Sequence, residues 1–127
     1  MTTITAYVDV PSLDEGVAFY GGTFGLTETD RPYPGLAILG GDGISLGLNA
    51  RAAGSKPYPN ATETRRYDRH WTPVHLDFHV DDFDATLERA TARGAVVEAL
   101  YRDEGPRPAA FCADPFGHGF CLMGPRR

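Results

Sequence analysis

The residues best able to do chemistry form an H-x-D-x-H pattern at His75, Asp77 and His79. Imidazole and carboxylate groups serve both as general bases and as metal ligands. Because a strand rises about 3.3 Å per residue, His75 and His79 lie about 13 Å apart and cannot share one ion, while Asp77 lies about 7 Å along the strand from each. His75 and Asp77 are therefore the candidate catalytic pair, and the simpler interpretation of His79 is a hydrogen-bonded structural histidine.

The two cysteines, Cys112 and Cys121, are a second source of reactive groups. They are too few for a disulfide framework and lack zinc-site spacing, which predicts reduced thiols. Cys121 would be a nucleophile if His75 lay beside it, because a paired histidine lowers the pKa of a thiol; the alternative is a buried, inert thiol. The predicted hairpin register does not place the two cysteines opposite each other, so no disulfide is expected.

An alternating strand followed by an amphipathic helix occurs twice, and these elements must position the reactive groups. The first copy begins at Thr5 (TAYVDVPSLDEGVAFY) and the second at His75 (HLDFHVDDFDATLERA). Ser12 and Glu15 form a capping box, which predicts a first helix from Leu13 that ends at Gly25. A repeat this long indicates two copies of one supersecondary unit.

Short β-like runs follow each helix, at 36–39 and 44–49 in the first half and at 96–101, 109–113 and 120–123 in the second. Each half is therefore predicted to be a βαβββ module of an α+β protein. One domain over 1–127 would comprise module one at 1–50, a linker or lid at 51–73, and module two at 74–124. The 51–73 segment has no period, and loops of its length are usually functional or disordered.

Composition excludes several classes of partner. The 127 residues carry a net charge of -5 and a pI near 5.2, whereas nucleic-acid binding requires a basic surface. No signal peptide or long apolar run is present in the N-terminal sequence, which favours a cytoplasmic protein that makes no membrane contact.

The chain resembles the vicinal oxygen chelate superfamily, which includes glyoxalase I, bleomycin-resistance proteins and extradiol dioxygenases. The similar segments are VDVPSLDEGVAFYGGTFGL, HLDFHVDDFDATLERATARGA and the closing hairpin FCADPFGHGFCLM. The resemblance implies two βαβββ modules whose eight strands curve into a cup around a ligand, commonly in a homodimer. In metal-dependent members, four His, Glu or Gln ligands lie on the first and last strands of the modules.

The four corresponding positions in this chain are Thr5, Ser45, His75 and Cys121. Only His75 matches the ligand types of the family. Hard ions need oxygen ligands, and zinc or iron needs at least three suitable donors. We therefore expect no metal and no other cofactor, with a zinc site that uses His75 and Cys121, and Asp77 as a third ligand, as the alternative.

The face that the resemblance assigns to the ligand combines polar and aromatic groups. Tyr7, Phe111 and Met123 would supply contact area while Asp9, His75 and Asp77 orient a ligand; the alternative is that the polar groups bond only to one another. Trp71 would stack on a ligand or anchor an interface. Beside His75 and Asp77, the predicted ligand-binding residues are Tyr7, Asp9, Asn49, Trp71, His79, Phe111, Cys121 and Met123.

A basic cluster, Arg65, Arg66 and Arg69, precedes Trp71. If the segment closed as a lid, these side chains would meet an anionic substituent of a ligand. A solvated loop is the preferred interpretation.

Three functions are compatible with these observations. The favoured one is metal-independent binding of a small organic molecule. The alternatives are a lyase, isomerase or dioxygenase with a non-standard metal site, and a metal-free enzyme with His75 or Asp77 as general base.

Overall fold

The computed structural model describes all 127 residues. The chain forms two compact units, Met1–Tyr67 and Asp68–Arg127. The first unit contains β1 (Ala6–Val10), α1 (Leu13–Phe24), β2 (Thr27–Tyr33), β3 (Leu36–Gly41) and β4 (Ile44–Ala50). The second contains β5 (Leu76–His79), α2 (Phe83–Ala92), β6 (Val96–Tyr101), β7 (Ala109–Ala113) and β8 (Gly119–Met123). The predicted α+β class with two βαβββ modules is confirmed.

The two sheets have the same topology. Their strand orders are β1-β4-β3-β2 and β5-β8-β7-β6. In each sheet the first and last strands of the module pair in parallel, and the remaining neighbours are antiparallel. This pairing sets Asp9 beside Asn49 and Asp77 beside Cys121, so side chains far apart in sequence become neighbours.

Both helices begin at a side-chain cap, and α1 ends at a glycine. The Ser12 side chain accepts a hydrogen bond from the Glu15 backbone N–H at 3.4 Å, and Gly25 ends α1 with φ of 68°. Asp82 caps α2 through the Ala85 N–H at 3.0 Å. The helix positions are thus determined by caps that satisfy free backbone groups. Neither helix combines the length and apolarity that a membrane span requires.

Each sheet packs its apolar face against its own helix. Val10 and Leu48 are fully buried and lie close to Gly16 of α1, where an added Cβ would be 3.1 Å from the Val10 methyl groups. In the second unit Phe78 and Phe120 meet edge to face, with ring centroids 5.9 Å apart. Because side chains alternate along a strand, the polar residues between these core positions lie on the opposite face.

Strand β2 is the element that sequence patterns did not indicate. All seven residues of TETDRPY are exposed, so no alternation marks the strand. It lies at the edge of its sheet and pairs irregularly with β3, with register shifts around Asp30. An edge position tolerates Pro32, which cannot donate a ladder hydrogen bond.

The segment expected as a linker or lid is divided between the units. Residues 51–67 belong to the first unit, where the backbones of Gly54 and Ser55 pair with Arg65 at 2.7 and 2.8 Å. The Tyr67 hydroxyl donates to the Arg51 carbonyl at 2.7 Å. The interpretation of the arginines as a solvated loop is therefore wrong for Arg65, whose side chain is only 14% exposed.

Candidate ligand-binding site in the second module

A polar cluster of His75, Asp77 and Cys121 lies on the second sheet, on the face opposite its apolar core. His75 Nε2 is 3.1 Å from Asp77 Oδ1, and the ligand atoms of all three residues lie within 4.8 Å of one another. The parallel register of β5 and β8 places Asp77 directly beside Cys121. From strand spacing alone, Asp77 is equally close to His75 and His79. In the structure its side chain pairs with His75.

Cys121 carries its proton at neutral pH. Burial raises its pKa to about 11, and the negative charge of Asp77 and a hydrogen bond to that carboxylate act in the same direction. The nearby carboxylate thus cancels the activation that a histidine would give to a thiol. This finding opposes the nucleophile hypothesis for Cys121. Cys112 is also buried and free, with its pKa raised to about 11 mainly by burial.

Three partly exposed rings next to the polar cluster, Tyr101, Phe111 and Trp71, form what we call the aromatic shelf. Phe111 lies directly beside Cys121 in the β7–β8 register. Its ring centroid is 6.3 Å from that of Trp71 and 6.1 Å from that of Tyr101. The Trp71 ring is also 4.7 Å from the His75 ring. The shelf therefore continues into the polar cluster through His75.

Gly119 makes room for Trp71. A Cβ at this position would lie 2.6 Å from Trp71 Cε3 and 3.1 Å from Arg69 Nη2. Because such contacts are shorter than any ordinary carbon contact, only glycine permits this approach of the indole ring to β8. Sequence reasoning missed Gly119, although its position two residues before Cys121 on the same strand face could have indicated it.

Arg69 and Glu98 border the aromatic shelf. The Arg69 guanidinium donates two hydrogen bonds to the Glu98 carboxylate, at 2.6 and 2.7 Å, and lies 6.0 Å from the Trp71 ring centroid. The hydrogen bond from Arg69 lowers the pKa of Glu98, and the same contact raises the pKa of Arg69. Arg69 is thus paired rather than held ready for an anion. Nothing in the local sequence indicated Glu98 as its partner.

His79 and Met123 form a separate pair at the far end of β5 and β8, where they are direct neighbours in the register. Arg107 Nη1 lies 2.9 Å from His79 Nδ1. Since a guanidinium can only donate, His79 Nδ1 is the acceptor in this contact. This agrees with the interpretation of His79 as a hydrogen-bonded histidine.

The equivalent face of the first unit is occupied by internal contacts. Asp9 accepts hydrogen bonds from Arg65 Nε at 2.8 Å and from Asn49 Nδ2 at 3.2 Å. The Tyr7 ring lies over Gly47, where a Cβ would be 2.5 Å from the ring. Asn49 Oδ1 is buried without a hydrogen-bond partner, so one acceptor remains for a donor group there.

The four positions that the resemblance assigns to metal ligands differ in chemistry between the two units. The exposed hydroxyls of Thr5 and Ser45 stand at the first-unit positions, and neutral hydroxyls are poor ligands for zinc or iron. At the second-unit positions His75 and Cys121, with Asp77, offer one nitrogen, one sulfur and one oxygen. This donor set suits zinc in type and excludes a hard magnesium site. Zinc would require the Cys121 proton to leave.

Comparisons with known proteins identify the family. A model of the glyoxalase-like domain matches residues 5–123, so the chain belongs to this family, within the vicinal oxygen chelate superfamily. The chain matches no curated protein sequence.

Solved structures share the fold at low sequence identity. The fosfomycin resistance protein FosX from Listeria monocytogenes is 17% identical, with a TM-score of 0.71 over 98% of this chain and 93% of its own. Lactoylglutathione lyase from Agrobacterium tumefaciens is 20% identical, with a TM-score of 0.65 over 97% and 92%. A glyoxalase/bleomycin resistance protein/dioxygenase family enzyme from Burkholderia phytofirmans PsJN is 20% identical, with a TM-score of 0.66 over 94% and 95%.

Proposed function

We propose that the second unit binds a small aromatic molecule on the aromatic shelf without needing a metal ion. One observation carries this proposal: Trp71, Phe111 and Tyr101 are 39–47% exposed although they touch one another in series. Exposed aromatic side chains in contact mark a binding surface more often than a free surface. The series ends at His75, so a stacked ligand would reach polar groups at one end.

The charged groups at the His75 end of the aromatic shelf determine which kind of ligand is preferred. Asp77 is half-exposed and its carboxylate can only accept hydrogen bonds when ionised. The basic group nearest the shelf, Arg69, is already bound to Glu98. A ligand that carries an amine or another donor beside its ring would therefore be preferred over one that carries a carboxylate.

The proposal can be tested with matched ligands and the sole tryptophan as reporter. Naphthylmethylamine and naphthoate share one ring system and differ in charge. We expect the amine to quench Trp71 fluorescence saturably and to bind more tightly than the acid, with the same affinity in EDTA. Asp77→Asn should abolish the preference for the amine. Equal binding of the two ligands by the wild-type chain would refute the proposed role of Asp77.

A matched aromatic control distinguishes binding on the aromatic shelf from nonspecific adsorption to exposed rings. Phe111→Ala should weaken binding of the amine, while Tyr33→Ala should leave it unchanged, because Tyr33 is equally exposed on β2 of the other unit. Equal losses in both variants would show that the ligand adheres to any exposed ring and would overturn the proposal.

A metal-dependent enzyme is the second candidate, favoured by the closeness of the His75, Asp77 and Cys121 donor atoms. A bound zinc ion would polarise an oxygen of the substrate or activate water. The residues themselves would hold the ion, and Cys121 would release its proton as the ion enters. Stoichiometric zinc that is lost in His75→Ala and kept in His79→Ala would support this candidate. Cobalt that binds in place of zinc without a thiolate charge-transfer absorption, or no bound metal at all, would exclude it.

A metal-free enzyme would use the same residues differently. Asp77 Oδ1 beside His75 Nε2 would hold a proton on that nitrogen, leaving Nδ1 to accept a proton from a substrate. Such a base would lose its activity in both His75→Gln and Asp77→Asn. A homodimer in the cytoplasm is proposed in each case, and light scattering on the purified chain tests the dimer.

A further inference from the structure

A second histidine pair lies outside the polar cluster. His70 and His118 are brought together by a parallel backbone bridge, and the His70 N–H donates to the Gly117 carbonyl at 3.0 Å. Their rings are nearly perpendicular, at 89°, and His118 Nδ1 is 3.2 Å from His70 Nε2. Both residues are half-buried. His118 precedes Cys121 by three residues, about 10 Å along a strand.

Hydrogen bonding determines which nitrogen of His70 faces its partner. His70 Nδ1 is 2.9 Å from the Asp68 carbonyl oxygen, which can only accept. Nδ1 therefore carries a proton, and in the neutral ring Nε2 presents its lone pair toward His118. Metal-binding histidines have this arrangement, in which the nitrogen that does not bind the ion donates to a carbonyl or carboxylate.

The nitrogen separation suits a single ion. With metal–nitrogen bonds of about 2.0–2.1 Å, two ligands are roughly 3.3 Å apart at a tetrahedral angle and roughly 2.9 Å apart at a right angle. The observed 3.2 Å falls between these values. We propose that His70 and His118 form a bidentate site for a borderline divalent transition metal, of the class of nickel, copper and zinc, which imidazole prefers.

Binding requires a tautomer change and no net change of charge. With His70 Nδ1 donating to the Asp68 carbonyl, the hydrogen bond between the two rings assigns a proton to Nδ1 of His118. When the ion binds, this proton moves through solvent to Nε2 of His118, and the Nδ1 lone pair becomes the second ligand. Both rings remain neutral, and water fills the other coordination positions.

The turn that carries His118 is held independently of the ion. Asp114 is 3% exposed and accepts hydrogen bonds from the N–H groups of Phe116 and His118, at 2.8 and 2.9 Å. Gly117 has φ of 89°, which allows the tight reversal. The position of one ligand is therefore fixed before binding, so little ordering entropy opposes binding of the ion.

An ion at this site would also act on the aromatic shelf. His70 is followed directly by Trp71, so coordination would tie the chain just before the indole ring to the turn between β7 and β8. Nickel and cobalt are paramagnetic and should quench the Trp71 emission when they bind. The site thus has an optical readout that does not require any ligand on the shelf.

Three of the four histidines of the chain supply the variants for testing the site. Nickel affinity is measured by calorimetry on the full-length protein, freed of metal with EDTA that is then dialysed away. We expect His70→Ala and His118→Ala each to weaken binding by more than about tenfold, the loss typical of damage to a metal site. His79→Ala, at a histidine that lies outside both clusters and contacts Arg107, should bind like the wild type. Undiminished binding in His70→Ala, or an equal loss in His79→Ala, would overturn the proposal.

The wild-type protein provides a test that does not depend on folding of the variants. Cobalt bound by His70 and His118 should broaden the NMR signals of these two rings first, without the thiolate charge-transfer absorption that ligation by Cys121 would produce. Early broadening of His75 together with that absorption would place the ion in the polar cluster instead, and would refute the site at His70 and His118.

Discussion

The substitution Gly119→Ala tests whether the aromatic shelf depends on the close approach of the Trp71 ring to Gly119. Its Cβ would lie 2.6 Å from Trp71 Cε3, 2.9 Å from Cζ3 and 3.1 Å from Arg69 Nη2. Gly119 is not among the glycines with positive φ, so alanine does not strain the backbone. Because carbon atoms normally meet at about 3.5–4.0 Å, the indole ring must move by about 1 Å.

The displacement has a calculable effect on binding. Trp71 contacts the rings of His75 and Phe111, and each such pair contributes about 0.5–1.5 kcal/mol beyond burial. Loss of the equivalent surface to a stacked ligand would cost about 1–3 kcal/mol, or roughly a 5- to 150-fold rise in Kd. We expect this rise for naphthylmethylamine, together with a shift in the Trp71 emission maximum and in the near-ultraviolet circular dichroism.

Gly47→Ala is the matched control. A Cβ at position 47 would lie 2.5 Å from the Tyr7 ring in the other unit, so this variant suffers a similar clash away from Trp71. It should destabilise the protein to a comparable extent and leave the tryptophan spectrum and the Kd unchanged. If Gly119→Ala retains the wild-type spectrum and affinity, the proposed arrangement of Trp71 over Gly119 is refuted.

Three further predictions concern the contacts around the site. Glu98→Gln removes the ion pair with Arg69 and leaves one amide oxygen as acceptor. Since folding lowers the pKa of Glu98, the stability that the ion pair contributes is present above the ordinary pKa of 4.5 and is lost as pH falls further. In urea titrations, the wild type should have a higher free energy of unfolding than Glu98→Gln at neutral pH and lose this difference in acid. A difference that does not depend on pH would contradict this. Cys121, with its pKa at about 11, should react with a disulfide reagent at neutral pH only after unfolding, and rapid native labelling would refute the burial argument. Arg65→Met leaves Asp9 without its cation and should cost about 1–3 kcal/mol, with faster proteolysis within 51–67; unchanged cleavage would show that the ion pair does not hold this segment.

The sequence predicted those parts of the fold in which one face of an element is buried. The alternation of Leu76 and Phe78 with Asp77 and His79 marks β5, because only one face of the strand meets the core. Strand β2 lacks this mark since both of its faces are exposed. Its irregular edge pairing depends on β3 rather than on its own pattern.

For the candidate site, the sequence predicted only which face of the sheet each side chain lies on, from the alternation along a strand. This alternation predicted that Asp77 and Cys121 share one face, and the two residues are direct neighbours in the β5–β8 register. The bond between Arg69 and Glu98 and the approach of Trp71 to Gly119 join residues 29 and 48 positions apart. Such contacts depend on how the 68–73 segment crosses the sheet, which no local period encodes.

Titration of Trp71 fluorescence with naphthylmethylamine, with and without EDTA, is the most direct test of the proposed function. Metal-independent binding on the aromatic shelf predicts a saturable change that EDTA does not alter and that Phe111→Ala diminishes. Absence of binding, or binding that appears only after a divalent ion is added, would contradict the proposed function.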